Sequence, residues 1–371
     1  MKPISENPVQ PAGRPERVGR RAVVAGAAGL AAAGALPRAA HGQPDHDWRM
    51  VTAWPRNAPG PGTSANRIAE RLTGLSGGRL RVTVYGAGEL VPAFEVFDAV
   101  SLGNAQMGHS AAFFWSGRMP AAPFFTAVPF GLSPQPHAAW IHHGGGQALW
   151  DELYAPSGVK PFLGGNSGMQ MGGWFTRRIE GLDDLQGLRY RIPGLGGAVL
   201  RRLGATTVTL PPAEIFTALE TGVIDGAEFL GPWSDVSLGL DQAAPYYYWP
   251  GFHEPNGSAE CLVNREAFES LPDDLRALVA VVCEAEALRG LAEADWWNAR
   301  TLARLRADAT VALLPFPPDV MAAARAAAAD VLAEAAAADE MTARILESYL
   351  PAKAQAEDWL DVTLAALQAA G

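Results

Sequence analysis

The sequence predicts an α/β protein built as two lobes, and three observations carry that prediction. Strand-like and helix-like segments alternate along the chain, the order that places helices on sheets of parallel strands. The alternation runs twice, once over about residues 49–110 and again over about residues 160–229. The 371 residues also exceed what one hydrophobic core usually holds, even with a removable leader set aside.

In the first run, residues 49–54 read as a strand that stops at Pro55. Residues 64–74 read as a helix with Ile68 and Leu72 inward, and Leu80-Arg-Val-Thr-Val-Tyr85 alternates with the period of a strand. A helix over 94–102 and a short buried strand over 105–110 follow. The segment 113–136 is rich in aromatic residues and Pro and reads as a loop wall rather than core, and 133–153 reads as a helix. The second run predicts strands at 160–164, 171–177, 187–192, 206–209 and 224–229, with helices at 195–203 and 212–220. Strands at 246–252 and 261–264 come next. Ser270-Leu-Pro-Asp273 reads as a helix start with a Ser cap and first-turn acids, and the helix continues to about 308. Pro315, Pro317 and Pro318 end it. The Ala-rich tail from Asp319 is helix-prone, with Pro351 expected to interrupt it.

Residues 1–42 read as a signal peptide. Lys2 to Arg21 is polar and basic, Ala22 to Leu36 contains only Ala, Val, Gly and Leu, and small residues follow at Ala39, Ala40 and Gly42. The pair Arg20-Arg21 suggests twin-arginine export, while its flanks leave the general secretory route open. The expected mature protein is soluble and exported. The leader carries six basic and two acidic residues, so the net charge of −10 becomes −14 without it. No nucleic-acid or anionic-membrane partner is expected of so acidic a chain, and an anionic ligand needs a local cationic site. Cys261 and Cys283 each lie in an apolar run and lack metal-site spacing. They read as buried thiols or as a disulfide.

Common catalytic signatures are missing. There is no Gly-x-Ser-x-Gly and no phosphate loop, and Gly194-Leu-Gly196-Gly197 lacks the last glycine of a dinucleotide fingerprint. Adjacent His142 and His143 point about 100° apart on a helix, and with His137 they read as surface residues. Three segments stand out instead: Gly165-Asn-Ser-Gly-Met-Gln170-Met-Gly-Gly-Trp174-Phe175, Leu185-Gln-Gly-Leu-Arg-Tyr-Arg191-Ile-Pro-Gly194, and Gly222-Val-Ile-Asp225-Gly226-Ala-Glu228-Phe229-Leu-Gly-Pro232. Arg191 stands at a strand end before Pro193-Gly194. It fits a fork onto a ligand carboxylate and equally a pair with a structural acid. Glu228, also at a strand end, fits a cation ligand and equally a salt bridge.

Arg191-x-Pro193 followed after about 30 residues by Gly222-Val-Ile-Asp-Gly-Ala-Glu228 resembles the extracytoplasmic binding proteins of tripartite ATP-independent periplasmic (TRAP) transporters, over about residues 48–300. Gln170-Met-Gly-Gly-Trp-Phe175 and Tyr246-Tyr-Tyr-Trp-Pro-Gly-Phe-His-Glu254 resemble the branch that binds 2-oxo monocarboxylates such as pyruvate. The resemblance implies a two-lobed periplasmic-binding-protein fold with parallel-type sheets, a hinge cleft and long C-terminal helices. Residues 43–166 plus 231–285 would form lobe I, 167–230 plus 286–318 lobe II, and 319–371 a C-terminal helical extension. It also implies roles. Arg191 pairs with the ligand carboxylate. Gln170 contacts ligand and cation through its amide oxygen. Glu228 and the Phe229 carbonyl complete the cation site, with Glu254 a further ligand. Hard oxygen donors suit Na⁺ or Ca²⁺. Phe114, Trp115 and Trp54 are candidates for the apolar wall, although their types equally fit ordinary core.

No catalytic residue is expected. The implied partners are a small carboxylate and TRAP membrane permease subunits in the periplasm, with a homodimer through the C-terminal helices. A C4-dicarboxylate would want a second cation, for which Arg56, Arg177 and Arg178 are candidates. An exported metal-dependent enzyme acting on a carboxylate would have only Glu228 as base, and a sensory role is indistinguishable from transport in the sequence.

Overall fold

The structure is a computed structural model that describes residues 45–370, so the signal-peptide reading lies outside the described residues. The strands in chain order are β1 (His46–Thr52), β2 (Leu80–Tyr85), β3 (Met107–Ser110), β4 (Val159–Asn166), β5 (Gly173–Phe175), β6 (Arg189–Arg191), β7 (Thr206–Val208), β8 (Gly226–Ala227), β9 (Tyr246–Trp249), β10 (Ser258–Asn264) and β11 (Ala312–Pro315). They form two sheets, β2-β1-β3-β10-β4 and β11-β9-β5-β8-β6-β7. The α-helices are α1 (Pro61–Leu75), α2 (Val96–Ser101), α3 (Pro134–His143), α4 (Gly146–Tyr154), α5 (Gly194–Arg202), α6 (Ile215–Glu220), α7 (Pro232–Ser237), α8 (Leu240–Ala243), α9 (Arg265–Glu269), α10 (Asp273–Ala307), α11 (Pro318–Ala338), α12 (Glu340–Leu360) and α13 (Ala366–Ala369).

The expected α/β class holds, with mixed rather than purely parallel sheets. β1 pairs in parallel with β2 and β3, while β10 runs antiparallel between β3 and β4. In the second sheet β6 is parallel to β7 and β8, and β5 is antiparallel to β8 and β9. β9 belongs to this second sheet, which corrects the assignment of all of 231–285 to the first lobe. Its Tyr247 stacks on Trp174 of β5 at 4.0 Å, and that contact fixes the pairing.

The chain passes between the sheets three times: after β4, after β9, and through α10 into β11. The 35 residues of α10 span about 52 Å. Its inward face carries Leu275, Val279, Val282, Cys283, Glu286, Gly290 and Ala294. Gly290 permits the closest approach, since a Cβ there would meet the Asn166 backbone nitrogen at 3.2 Å and Ser64 Oγ at 3.3 Å. Buried Glu286 is neutralised by Arg67 of α1, whose Nε and Nη2 donate to Oε1 at 2.9 and 2.6 Å. Cys261 and Cys283 are both buried and free, and sit in the core beside Trp48, Met50, Ile68 and Leu72.

Four local expectations are corrected. The segment 113–136 is largely core: Phe125 lies between Trp140 and Trp150, stacked at 5.6 and 4.9 Å, contacts worth about 0.5–1.5 kcal/mol each beyond their area. The helix expected over 133–153 is broken at Gly144-Gly145, where Gly145 takes the left-handed φ of 87° and α4 begins anew. Pro272, not Ser270, is the cap residue of α10, and Ser270 Oγ instead donates to the Ala267 carbonyl. Pro351 lies inside α12 without ending it. It is on the exposed face, where water is at hand for the carbonyl that loses its partner. No helix among the described residues is long and apolar enough to cross a membrane.

Candidate functional site

The first two sheet crossings, residues 167–172 and 250–257, meet the ends of β4, β6 and β8 and the start of α1 around a cavity of about 30 Å³. Trp54, Phe113, Phe114, Phe229 and Leu230 give it an apolar wall, and Ser64, Asn166, Gln170, Arg191 and Glu254 supply polar groups. Arg191 is the only basic residue in this lining.

Strand pairing sets the charged centre. Arg191 of β6 is in register with Ala227 of β8, which brings Glu228 alongside it. Arg191 Nη1 donates to the Glu228 carbonyl at 2.8 Å and to Glu228 Oε1, while Nε and Nη2 donate to the Leu210 carbonyl, both at 3.1 Å. These four bonds leave one N–H of the five in a guanidinium. Arg191 is thus paired with a buried acid, and it also lines the cavity.

Around this pair four buried polar atoms have no hydrogen-bond partner: Gln170 Oε1, Glu228 Oε2, His253 Nε2 and Glu254 Oε2. Glu228, His253 and Glu254 offer ligand atoms that all lie within 4.8 Å of one another. Gln170 is oriented by its Nε2, which donates to Ser167 Oγ at 3.1 Å and leaves the carbonyl oxygen unengaged. Burial, and then the nearby charge of Glu228, hold the Glu254 carboxyl well above the usual range. A cluster of buried oxygen and nitrogen lone pairs left without donors is the donor set a cation fits.

The supporting residues explain the local shape. Gly257 packs so tightly that a Cβ would lie 1.9 Å from Ser167 Oγ and 2.5 Å from Gln170 Nε2. Buried Asp235 accepts from Leu230 N at 3.0 Å, Trp174 Nε1 at 3.1 Å and Tyr247 Oη at 2.7 Å, and so fixes the backbone next to Phe229. Burial pushes its carboxyl up to about 7. Trp54 Nε1 donates to His109 Nδ1 at 2.8 Å. Burial lowers the His109 ring to about 4, which keeps it a neutral acceptor.

Of the residues expected at the site, Arg191, Gln170, Phe229, Phe114 and Glu254 line the cavity, with Glu228 directly behind them. Trp115 does not. The 3₁₀ turn Ala112–Trp115 swings it away to pack on Phe97 at 5.3 Å and to donate to Glu260 Oε1. His137 is buried, contrary to its surface reading, and bonds the Phe124 carbonyl and Ser258 Oγ. Arg56, Arg177 and Arg178, the candidates for the second cation a dicarboxylate would want, do not line the cavity. Sequence reading missed His253, Asp235 and Gly257. His253 lay in a highlighted stretch beside Glu254, but nothing in its local sequence marked it as a site residue. The turn in which Glu254 N donates to the Gly251 carbonyl brings both side chains inward.

Residues 50–339 match the family model of the bacterial extracellular solute-binding proteins, family 7, and the chain belongs to that family. It is a solute-binding protein of the TRAP transporter type, a class that binds for transport rather than catalyses. The chain is 39% identical over 318 residues to a monocarboxylate 2-oxoacid-binding periplasmic protein of Nostoc sp., which covers 86% of this chain and 87% of the relative. A TRAP periplasmic solute-binding protein of Pseudoalteromonas atlantica with bound sodium and pyruvate superposes with a TM-score of 0.85 at 38% identity, covering 88% of this chain and 99% of that one. One from Bordetella bronchiseptica, a mixed-occupancy dimer with copurified calcium and picolinate, gives 0.85 at 36% identity, covering 88% and 96%.

Proposed function

We propose that this protein, in the periplasm, captures a small 2-oxo monocarboxylate such as pyruvate together with Na⁺ or Ca²⁺ and delivers it to TRAP permease subunits. The observation that carries this reading is the set of unpartnered buried atoms of Gln170, Glu228 and Glu254 gathered beside Arg191. Arg191 binds one carboxylate through its remaining N–H, and the aromatic wall excludes water from the rest of the ligand. Gln170, Glu228 and Glu254, with the Phe229 carbonyl, hold the cation, which supplies positive charge for the carboxylate and 2-oxo oxygens. The small cavity and its single basic residue favour a short monocarboxylate over a dicarboxylate.

Lobe I is the body of the first sheet and lobe II that of the second, and the crossings 167–172 and 250–257 form the hinge. Glu228, the base an exported enzyme would have used, is paired with Arg191 through Oε1. The tail supports self-association. Trp359, Val362, Leu364 and Leu367 are exposed, and a groove lined by Pro136, Trp140, Trp359 and Leu360 lies beside them. The homodimer therefore forms through the C-terminal helices. Titration calorimetry of the mature protein with pyruvate, longer 2-oxo acids, succinate and malate, with and without Na⁺ or Ca²⁺, tests the function. One-site binding of a 2-oxo acid that needs a cation is expected. Binding of succinate alone, or binding indifferent to cations, overturns it.

A further inference from the structure

The cation reading above uses oxygen donors only, yet the structure places an imidazole among them. His253 is 2% exposed, and its Nε2 has no hydrogen-bond partner. That nitrogen lies 3.4 Å from Glu228 Oε2, itself unpartnered, and a ring nitrogen of His253 lies within 4.8 Å of a Glu254 carboxylate oxygen. Two donor atoms on one ion, each about 2.0–2.3 Å from it, stand roughly 3–3.7 Å apart when adjacent. The Nε2 to Oε2 separation is therefore that of neighbouring ligands, and the pair does not align as a hydrogen bond. The His253 backbone is held for this: Phe130 N donates to the Phe252 carbonyl at 2.7 Å, the Phe252 ring stacks on Phe130 at 5.3 Å, and a Cβ on Gly196 would reach His253 Cβ at 2.7 Å.

We propose that His253 Nε2 is a direct ligand of the bound cation beside Glu228 and Glu254, so that the site also accepts first-row divalent ions such as Mn²⁺ or, more tightly, Zn²⁺. Sodium and calcium gain little from an imidazole. Manganese and zinc gain more, and affinity across such sites rises toward the later first-row metals. One histidine thus turns a hard-ion site into a mixed one without moving any carboxylate. The proposal rests on the reading that a cation binds at Glu228 and Glu254.

The test is pulsed electron paramagnetic resonance of the mature wild-type protein loaded with Mn²⁺, with and without pyruvate. Echo modulation from a directly coordinated ¹⁴N is expected, and it disappears in His253→Gln. Calorimetry then compares ions: His253→Gln should weaken Mn²⁺ and Zn²⁺ at least 10-fold while changing Ca²⁺ less than about threefold. Bound Mn²⁺ without nitrogen modulation overturns the His253 ligand and leaves the cation site standing. An equal loss for Ca²⁺ and Mn²⁺ overturns it too, because that pattern belongs to a residue that only supports Glu228. No binding of Mn²⁺, Ca²⁺ or Na⁺ at all removes both the ligand and the cation reading. The wild-type spectrum decides the matter even if the variant fails to fold.

Discussion

Replacing Arg191 with Ala should damage stability and binding by separable amounts. Arg191 and Glu228 are 2% and 1% exposed, so the substitution strands a buried carboxylate. Removing one partner of a buried pair costs about 3–5 kcal/mol, most of it the penalty on the charge left behind. Binding loses the remaining guanidinium N–H, a charge-assisted bond worth about 1.5–3 kcal/mol, or roughly 10- to 150-fold in Kd. Adding Glu228→Gln takes away the stranded charge. The double variant should therefore regain most of the lost stability in urea denaturation while pyruvate affinity, measured by calorimetry, stays lost. If Arg191→Ala alone leaves Kd within threefold of wild type, Arg191 is not the ligand's partner. If the double variant is no more stable than the single one, the stranded-charge account of the pair is wrong.

Gly257→Ala should cut pyruvate and Ca²⁺ affinity at least 10-fold with the circular dichroism spectrum unchanged, because its Cβ displaces Ser167 and Gln170. Full affinity would show that Gln170 is not needed. Burial pushes the Glu260 carboxyl up to about 8, against about 4.3 in an unfolded chain. The folded state thus binds the proton more tightly, so this group's stabilising share is complete below about pH 4 and is lost as pH rises toward 8. Glu260→Gln should gain stability relative to wild type as pH goes from 5 to 8.5, read by urea denaturation, and a pH-independent difference would contradict this. Trp359→Glu combined with Leu367→Glu should give a monomer by light scattering while leaving pyruvate binding intact. A dimer that persists would place the interface elsewhere.

The sequence was most readable where one periodicity decided the outcome. Leu80 to Tyr85 alternates, and it is a strand with the expected bounds. Arg191 and Glu228 drew notice as charged residues at expected strand ends, a position that left their roles open until the family resemblance assigned them. What escaped notice depended on partners remote in sequence. Trp115 has the same composition around it as Phe114, and only the 3₁₀ turn decides which ring meets the cavity and which meets Phe97 and Glu260. His137 looks like a helix-surface histidine until Phe124 and Ser258 close over it. Asp235 is one acid among many locally, and its three donors come from residues 174, 230 and 247. β9 belongs to the second sheet because Tyr247 finds Trp174, a pairing across about 70 residues that no local window contains.

The insertion of β10 between β3 and β4 bears on how the chain matures as it emerges N-terminus first. Until residues 258–264 are present, β3 and β4 have no strand to join them, and both show open edges. Until residues 312–315 follow, β9 lacks its outer neighbour. Neither sheet can finish early, and the pairings that finish them close long loops, which slows folding. A nascent or truncated chain that ends before β10 is therefore the form most prone to stick to its neighbours, and a holding chaperone would find its purchase on the edges of β3 and β4.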